Sequence, residues 1–366
     1  ERTEVEESIR AFITEEYDFL VEDSEDSIRT ISGHEEAFFG YVTLQQILQV
    51  NDQKEREGQV LGTMDMGGQS LEVAFRFDAD SEEARQQVVS PVTGKYFSNV
   101  QFDDDDTDVF GASYVGFGHE AALQQSMVEA SQSQSLITPL GSESRLAEGE
   151  YYSPCFHVGY VYVTDNDDVF FDLDTKFYGT GNYSECVTLT RRMMDVDAEC
   201  GFERCSFNGH YQPELHDFFI AMNDFATTSS YFGLSPQPVL DDFVPPTTDY
   251  CHMTWAEVQE DDFYRYFKES SQRRFCFQGV YVHQLLTHGL GLDGSERPVL
   301  FASAIYDIPL NWGLGAIRQH LAASSERYSP SDFVVEGAST LPGFGSSATS
   351  SSSSDASPAS SSPASS

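Results

Sequence analysis

Leu61-Gly62-Thr63-Met64-Asp65-Met66-Gly67-Gly68-Gln69-Ser70-Leu71-Glu72 reads as strand, turn and strand in quick succession. Val60 to Asp65 is an apolar run of strand length, Met66-Gly67-Gly68 is a tight turn, and Ser70 to Phe77 returns with Leu71, Val73, Phe75 and Phe77 alternating. A carboxylate ending a buried strand, followed by two glycines and a hydroxyl, is also chemically suggestive. Residues without a Cβ let backbone N–H groups approach an anion, and Asp65 can hold a divalent cation beside that anion, directly or through water. The plain structural alternative is a hairpin turn in which Asp65 satisfies turn amides.

Upstream lies a second chemical segment, Ile31-Ser32-Gly33-His34-Glu35-Glu36-Ala37-Phe38-Phe39-Gly40-Tyr41-Val42-Thr43. Adjacent carboxylates at a helix start serve as capping and dipole partners. Alternatively, one of them is a general base that orients and deprotonates a water. Phe38, Phe39, Val42, Leu44, Ile47 and Leu48 carry the helical pattern onward from the turn at Ser32-Gly33.

Around these segments, Val5, Ile9, Phe12, Ile13, Tyr17 and Leu20 recur at spacings of three and four, which predicts an amphipathic helix in need of a partner surface. Residues 78–215 read as loop-rich, with short strands such as Tyr160 to Val163. Helical periodicity returns near 117–131, 216–232, 253–269, 277–288 and 312–323. Of the last 21 residues 13 are Ser, a composition that buries too little apolar area to fold and predicts a disordered tail. Trp312 with Gly313 and Gly315 reads as a packing site for the closing helix.

Twenty Lys and Arg against 60 Asp and Glu give a net charge of -40, a field that repels nucleic-acid backbones and anionic lipid heads. Nucleic acid is therefore not an expected partner. No run of 18 apolar residues occurs, and the chain starts at Glu1, which reads as a processed chain or a fragment. Only four of the basic residues are Lys, and such acidic, Lys-poor surfaces suit saline surroundings. The Asp103 to Asp106 and Asp165 to Asp168 runs read as solvated loops. Six cysteines between Cys155 and Cys276 allow 15 pairings, and no zinc-type spacing is present. With the sequon Asn182-Tyr183-Ser184, a glycosylation acceptor, they favour an oxidising secretory compartment. His157 and His210 read as hydrogen-bonded structural residues.

Together the two chemical segments resemble the nucleoside triphosphate diphosphohydrolases, the family of apyrases, ecto-nucleotidases and guanosine diphosphatases. One family signature, I-S/T-G-x-E-E-G-x-x-G-W-x-T, is matched by residues 31–43 except at Ala37 and Tyr41. Another, D-x-G-G-A-S-x-Q, is matched by Asp65 to Glu72 except at Gln69 and Glu72. Cys155-Phe156-His157-Val158-Gly159-Tyr160, Gly181-Asn182-Tyr183 with Cys186, Cys200 through Pro213, Cys276 to Tyr281 and Trp312 to Ala316 extend the likeness over roughly residues 1–325.

The resemblance implies an α/β fold, an actin-like (ribonuclease H-like) lobe with a partial second lobe. Residues 1–30 would be a remnant helix of the first lobe, 31–310 the second lobe, 311–330 a helix returning to the first, and 331–366 the tail. It implies the disulfides Cys155–Cys186, Cys200–Cys205 and Cys251–Cys276. A further pair found in some members is missing on both sides, with Val115 to Gly118 in place of one cysteine segment. It implies hydrolysis of the terminal phosphates of nucleoside tri- and diphosphates with Ca²⁺ or Mg²⁺. Glu36 would be the base and Ser70 a positioner of the water. Gly67, Gly68, Gln69 and Ser70 would cradle phosphate, and Asp65 and Glu72 would lie at the metal.

Departures from the family set further expectations. Glu72 replaces Gln, placing an acid near phosphate, and Ala226 stands where a Tyr would serve the nucleobase, leaving Arg273 or Arg274 as candidates to stack on a base or as plain surface arginines. The family's first phosphate loop, resembling D-A-G-S-S, and its A-T-A-G motif do not occur in residues 1–366. The isolated chain is therefore expected to be inactive without those N-terminal lobe residues, and any membrane anchor would lie outside it. The alternative is a relative that binds nucleotide or a partner without turnover; an exopolyphosphatase is disfavoured by the cysteine framework. Extracellular, cell-surface and Golgi or ER lumenal locations all fit.

Overall fold

The computed structural model describes residues 2–18, 21, 27–50, 61–76, 97–102, 105–137, 146–165, 168, 170–201, 205–215, 218–296 and 298–325. The Ser-rich tail, Phe77 to Tyr96, and Asp103, Asp104, Asn166 and Asp167 lie outside them. The chain divides into a main unit, Glu1–Leu321, and a second, Ala322–Ser366, whose described part is the last turn of a helix.

In chain order the main elements are α1 (Arg2–Glu16), α2 (Gly33–Val50), β1 (Leu61–Met66), β2 (Ser70–Arg76), β3 (Phe97–Phe102), β4 (Asp105–Val115) and α3 (His119–Gln132). Then come β5 (Glu150–Ser153), β6 (Val161–Val163), β7 (Lys176–Gly179), α4 (Tyr183–Met194), β8 (Phe218–Asn223) and α5 (Asp224–Tyr231). Next are α6 (Val244–His252), α7 (Trp255–Glu260), α8 (Glu269–Gln272), α9 (Phe275–Gln284), β9 (Val299–Phe301), the short pair β10 (Ala304–Ile305) and β11 (Ile308–Pro309), and α10 (Gly313–Ser325).

A six-stranded sheet of order β3-β4-β2-β1-β8-β9 forms the centre. It is antiparallel from β3 to β1 and parallel from β1 through β8 to β9. Side chains alternate across it, as the two-residue period of a strand requires. Leu71, Val73 and Phe75 of β2, Met64 and Met66 of β1, and Phe219 and Ala221 of β8 enter the large core that includes α9. Ala74 and Val109 pack instead with Ala37, Phe38, Tyr41 and Val42 of α2, and Ile220 and Met222 with Leu44 and Ile47. A helix therefore covers each face, an α/β arrangement, and a smaller sheet of order β5-β7-β6 lies outside the main one.

Several expectations change. The stretch expected as a helix over 216–232 divides into β8 and α5, because its apolar run is buried on both faces beside β1 and so serves as an inner parallel strand. The expected helix over 253–269 is interrupted at Asp261, whose Oδ1 accepts from the Phe263 and Tyr264 N–H groups and starts a separate turn. Asp105 and Asp106, expected in a solvated loop, belong to β4 and pair with Phe102 and Gln101. β4 is an eleven-residue strand in a region read as loop. The apolar face of α1 is solvent-facing in this unit, with Val5, Ile9 and Phe12 44–57% exposed.

Disulfides join Cys155 to Cys186, Cys200 to Cys205 and Cys251 to Cys276. The first ties the β5–β6 connection to α4 and the third ties α6 to α9, so both restrain packed helices. The start of α10 lies on α2, where Gly315 N–H donates to Thr43 Oγ1 at 2.8 Å. A Cβ added to Gly315 would fall 2.0 Å from the Phe39 carbonyl oxygen. Gly315→Ala should therefore push the helices apart and cost about 1–3 kcal/mol in urea denaturation. Gly313→Ala, whose nearest neighbour is the Asn311 side chain at 3.0 Å, should cost clearly less.

Candidate active site

Alternation along the strands builds the site. Met64 and Met66 face one core, so Asp65 between them faces α2; Leu71 and Val73 do the same for Glu72, and Ala112 and Tyr114 for Ser113. Register then sets these three in a row across adjacent strands, Asp65 opposite Glu72 and Glu72 opposite Ser113. Above the row starts α2. A Cβ on Gly33 would lie 2.3 Å from Ser113 Oγ and 3.9 Å from Glu72 Oε1, so glycine lets the helix start approach this closely.

The adjacent acids of α2 have different environments. Glu35 binds Arg29 at 2.7 and 3.1 Å and accepts from the Ser32 N–H and hydroxyl at 2.8 and 2.9 Å. Burial would raise its carboxyl, but Arg29 and Ser32 outweigh it and hold it below the ordinary value. Glu35 is thus the capping residue of α2. Glu36 makes no side-chain hydrogen bond among the described residues, is half-buried, and is raised by desolvation.

Asp65 is pushed up to about 6 by burial and by the charges of Glu36 and Asp224, against a 2.5 Å hydrogen bond from Asn223 Nδ2. Glu72 is pushed up to about 8, chiefly by burial and then by Glu36 and Asp65, although Ser70 and Ser113 donate to it, the latter at 2.8 Å. Several carboxylates therefore share one field. Asp224 pairs with the Arg274 guanidinium at 3.2 Å and lies 3.3 Å from His119 Nε2, a ring whose protonation burial disfavours.

The glycine turn is held from behind. Gly67 N–H donates to the Ser70 carbonyl at 3.1 Å. The Gly67 carbonyl accepts from His119 N–H at 2.9 Å, and the Gly68 carbonyl from Glu120 and Ala121 N–H at 3.0 and 3.1 Å. The first amides of α3, which have no partner within their own helix, are thereby satisfied. In a trans peptide the carbonyl and the following N–H point in opposite directions. The Gly68 and Gln69 N–H groups are consequently turned away from α3, available to an anion. Neither Gly67 nor Gly68 has a positive φ, so glycine here supplies a bare surface rather than a special conformation. Gly118 packs against the turn so tightly that a Cβ would come within 2.5 Å of the Gln69 nitrogen.

Asp65 bonds Asn223 rather than the turn amides, unlike the simple hairpin alternative. Arg273, read as a candidate to stack on a base, places its guanidinium over Tyr162 at 5.0 Å and donates to the Tyr160 hydroxyl at 3.4 Å, while Arg274 pairs with Asp224 at 3.2 Å. Asn182 caps α4 by accepting from Glu185 N–H at 3.2 Å. His157 is buried, held near pKa 4 by desolvation, and bonds the Met253 carbonyl. Sequence reading missed Ser113, Asn223, Asp224 and His119. Asn223-Asp224, two polar residues ending an apolar run, was the available signal.

The carboxyl shifts fix a sign for pH dependence. Glu72 rises from 4.5 unfolded to about 8 folded, so the folded state holds the proton more tightly. Its stabilising contribution is complete below about 4.5 and is lost as pH rises through about 8. Glu72→Gln should thus match wild type in urea denaturation near pH 5 in EDTA and exceed it increasingly toward pH 9. A difference independent of pH would contradict the assignment.

The model of the GDA1/CD39 (nucleoside phosphatase) family matches residues 1–330. Ectonucleoside triphosphate diphosphohydrolase 2 of Mus musculus is 29% identical over 306 residues, 78% of this chain and 57% of that protein. Golgi apyrase of Saccharomyces cerevisiae is 26% identical over 333 residues, 84% of this chain and 51% of that one. The chain thus spans about half the length of the curated relatives it matches. A solved structure of nucleoside triphosphate hydrolases from Neospora caninum shares the fold with a TM-score of 0.60 at 14% identity, covering 89% of this chain and 70% of that one. With its signature segments, its actin-like α/β sheet and a family match over nearly all of its described length, this chain belongs to the GDA1/CD39 family of nucleoside phosphatases.

Proposed function

We propose that the protein hydrolyses the terminal phosphates of nucleoside tri- and diphosphates in a divalent-cation-dependent reaction, with Glu36 as the base that activates water. The observation carrying this is the division of labour between Glu35 and Glu36. Glu35 caps the helix, which leaves Glu36 without a hydrogen-bond partner among the described residues, raised by desolvation and close enough for its charge to act on Asp65 and Glu72. A carboxylate so poised accepts a proton more readily than a solvated one.

In the proposed mechanism the Gly68 and Gln69 N–H groups hold the phosphoryl oxygens, as preorganised dipoles aimed at developing charge. Water attacks the terminal phosphorus in line, the bond to the bridging oxygen breaks, and the water proton passes to Glu36. The Ser70 hydroxyl helps to orient the water. Asp65 and Glu72 supply hard oxygen donors in a region of surplus negative charge, which fits a divalent cation. Among the described residues no three acidic, His or Cys side chains converge to ligate an ion directly, so the fit is to a cation held through its water shell and the nucleotide. When bound, Ca²⁺ or Mg²⁺ would neutralise charge on the phosphate oxygens. The proposal includes the first phosphate loop that other members place upstream, without which residues 1–366 turn over slowly. It also puts the protein in the secretory pathway, at the cell surface or in the Golgi or ER lumen, where disulfides persist.

Phosphate release from ATP, ADP, GDP and UDP by the complete protein should fall about 10²–10⁴-fold in Glu36→Gln while nucleotide binding persists, and EDTA should abolish the wild-type rate. An unimpaired Glu36→Gln enzyme refutes the role of Glu36. Nucleotide binding without wild-type turnover instead supports a binding relative.

A further inference from the structure

The junction between β8 and α5 carries an unusual backbone. Asn223 has φ 56° and ψ -121°, the first central position of a type II′ turn, which glycine adopts readily and a residue with a Cβ resists. Its side chain does not cap α5. Instead, Asn223 Nδ2 donates to Asp65 Oδ1 at 2.5 Å.

Both flanks of the junction are fixed. On the strand side, parallel pairing sets Asp65 beside Met222 and Met66 beside Asn223. On the helix side, Asp224 receives Arg274 at 3.2 Å and Gln278 Nε2 at 3.3 Å on Oδ1, while Thr228 donates to its carbonyl at 2.5 Å. A strained residue clamped between fixed elements, with its side chain spent on a functional carboxylate, marks strain kept for a purpose.

We propose that Asn223 is a positioning residue of the phosphohydrolase site, fixing Asp65 through its amide donor. The proposal rests on the hydrolase reading of that site. The choice of an amide has a physical logic. Lys or Arg at this position would neutralise the charge that Asp65 offers to a cation, and Asp or Glu would add another carboxylate to a crowded acidic site. Asn supplies an N–H donor with no charge, which immobilises Oδ1 and leaves the negative field intact.

Asn223→Gly separates positioning from structure, because it relieves the backbone while deleting the donor. In the complete protein its Tm should equal or exceed that of wild type. Its kcat should fall about 10- to 100-fold, the scale of one hydrogen bond to a charged group, with KM changed less than about threefold. Asn223→Ala should show the same kcat loss without the gain in Tm. Independently of turnover, half-saturation by Mn²⁺ with a non-hydrolysable ATP analogue should rise about tenfold in both variants. Unchanged kcat and Mn²⁺ affinity in Asn223→Gly overturn the proposal, and so does a lowered Tm. A wild type that binds Mn²⁺ and analogue without turnover would refute the hydrolase reading alone, and the Mn²⁺ titration would still decide the role of Asn223. A wild type that binds neither overturns both.

Discussion

Two carboxylates opposite one another on neighbouring strands, both turned toward the face that α2 covers, set the terms for everything around them. Like charges in a directly paired position destabilise a sheet, and burial adds desolvation to the repulsion. Asp65 and Glu72 bear both costs, with Glu36 bringing a third acid near. The fold accommodates them with neutral donors: Asn223 for Asp65, Ser70 and Ser113 for Glu72. The arrangement suits a site that receives a cation and a phosphate together, because those ligands complete a charge balance that the protein leaves open.

Holding such a site open requires rigidity behind it. The glycine turn is anchored by three backbone N–H groups at the start of α3, and Gly118 lets that helix come close enough to provide them. Gly33 performs a similar service for α2 above Glu72. A chain of net charge -40 repels polyphosphates at long range; in the mechanism we propose, the Gly68 and Gln69 amides and a bound cation would supply a local field of the opposite sign.

Much of the site is legible in the order of residues alone. The Asp65 turn, the Glu35-Glu36 pair and the strands around residues 61–76 follow from local patterns, which is why they survive folding nearly unchanged. Other readings failed for a shared reason. Phe218 to Met222 looks helical in isolation because a strand buried on both faces loses the alternation that would identify it. β4 was hidden by Asp105, Asp106 and Asp108, since charged residues on a strand toward one edge of a sheet carry no strand signal of their own.

The sequence by itself determined the chemistry on offer: an acid ending a strand, bare glycines after it, and a pair of acids at a helix start. These are properties of adjacent residues, and adjacency is what a sequence records. Only the tertiary structure decided which acid is free, since Arg29 takes Glu35 and leaves Glu36. It alone aligned Asp65, Glu72 and Ser113 across three strands, brought Asn223 to Asp65 over 158 residues, and paired Arg274 with Asp224. Strand register and helix docking create those neighbours, and both depend on how distant apolar faces are buried together.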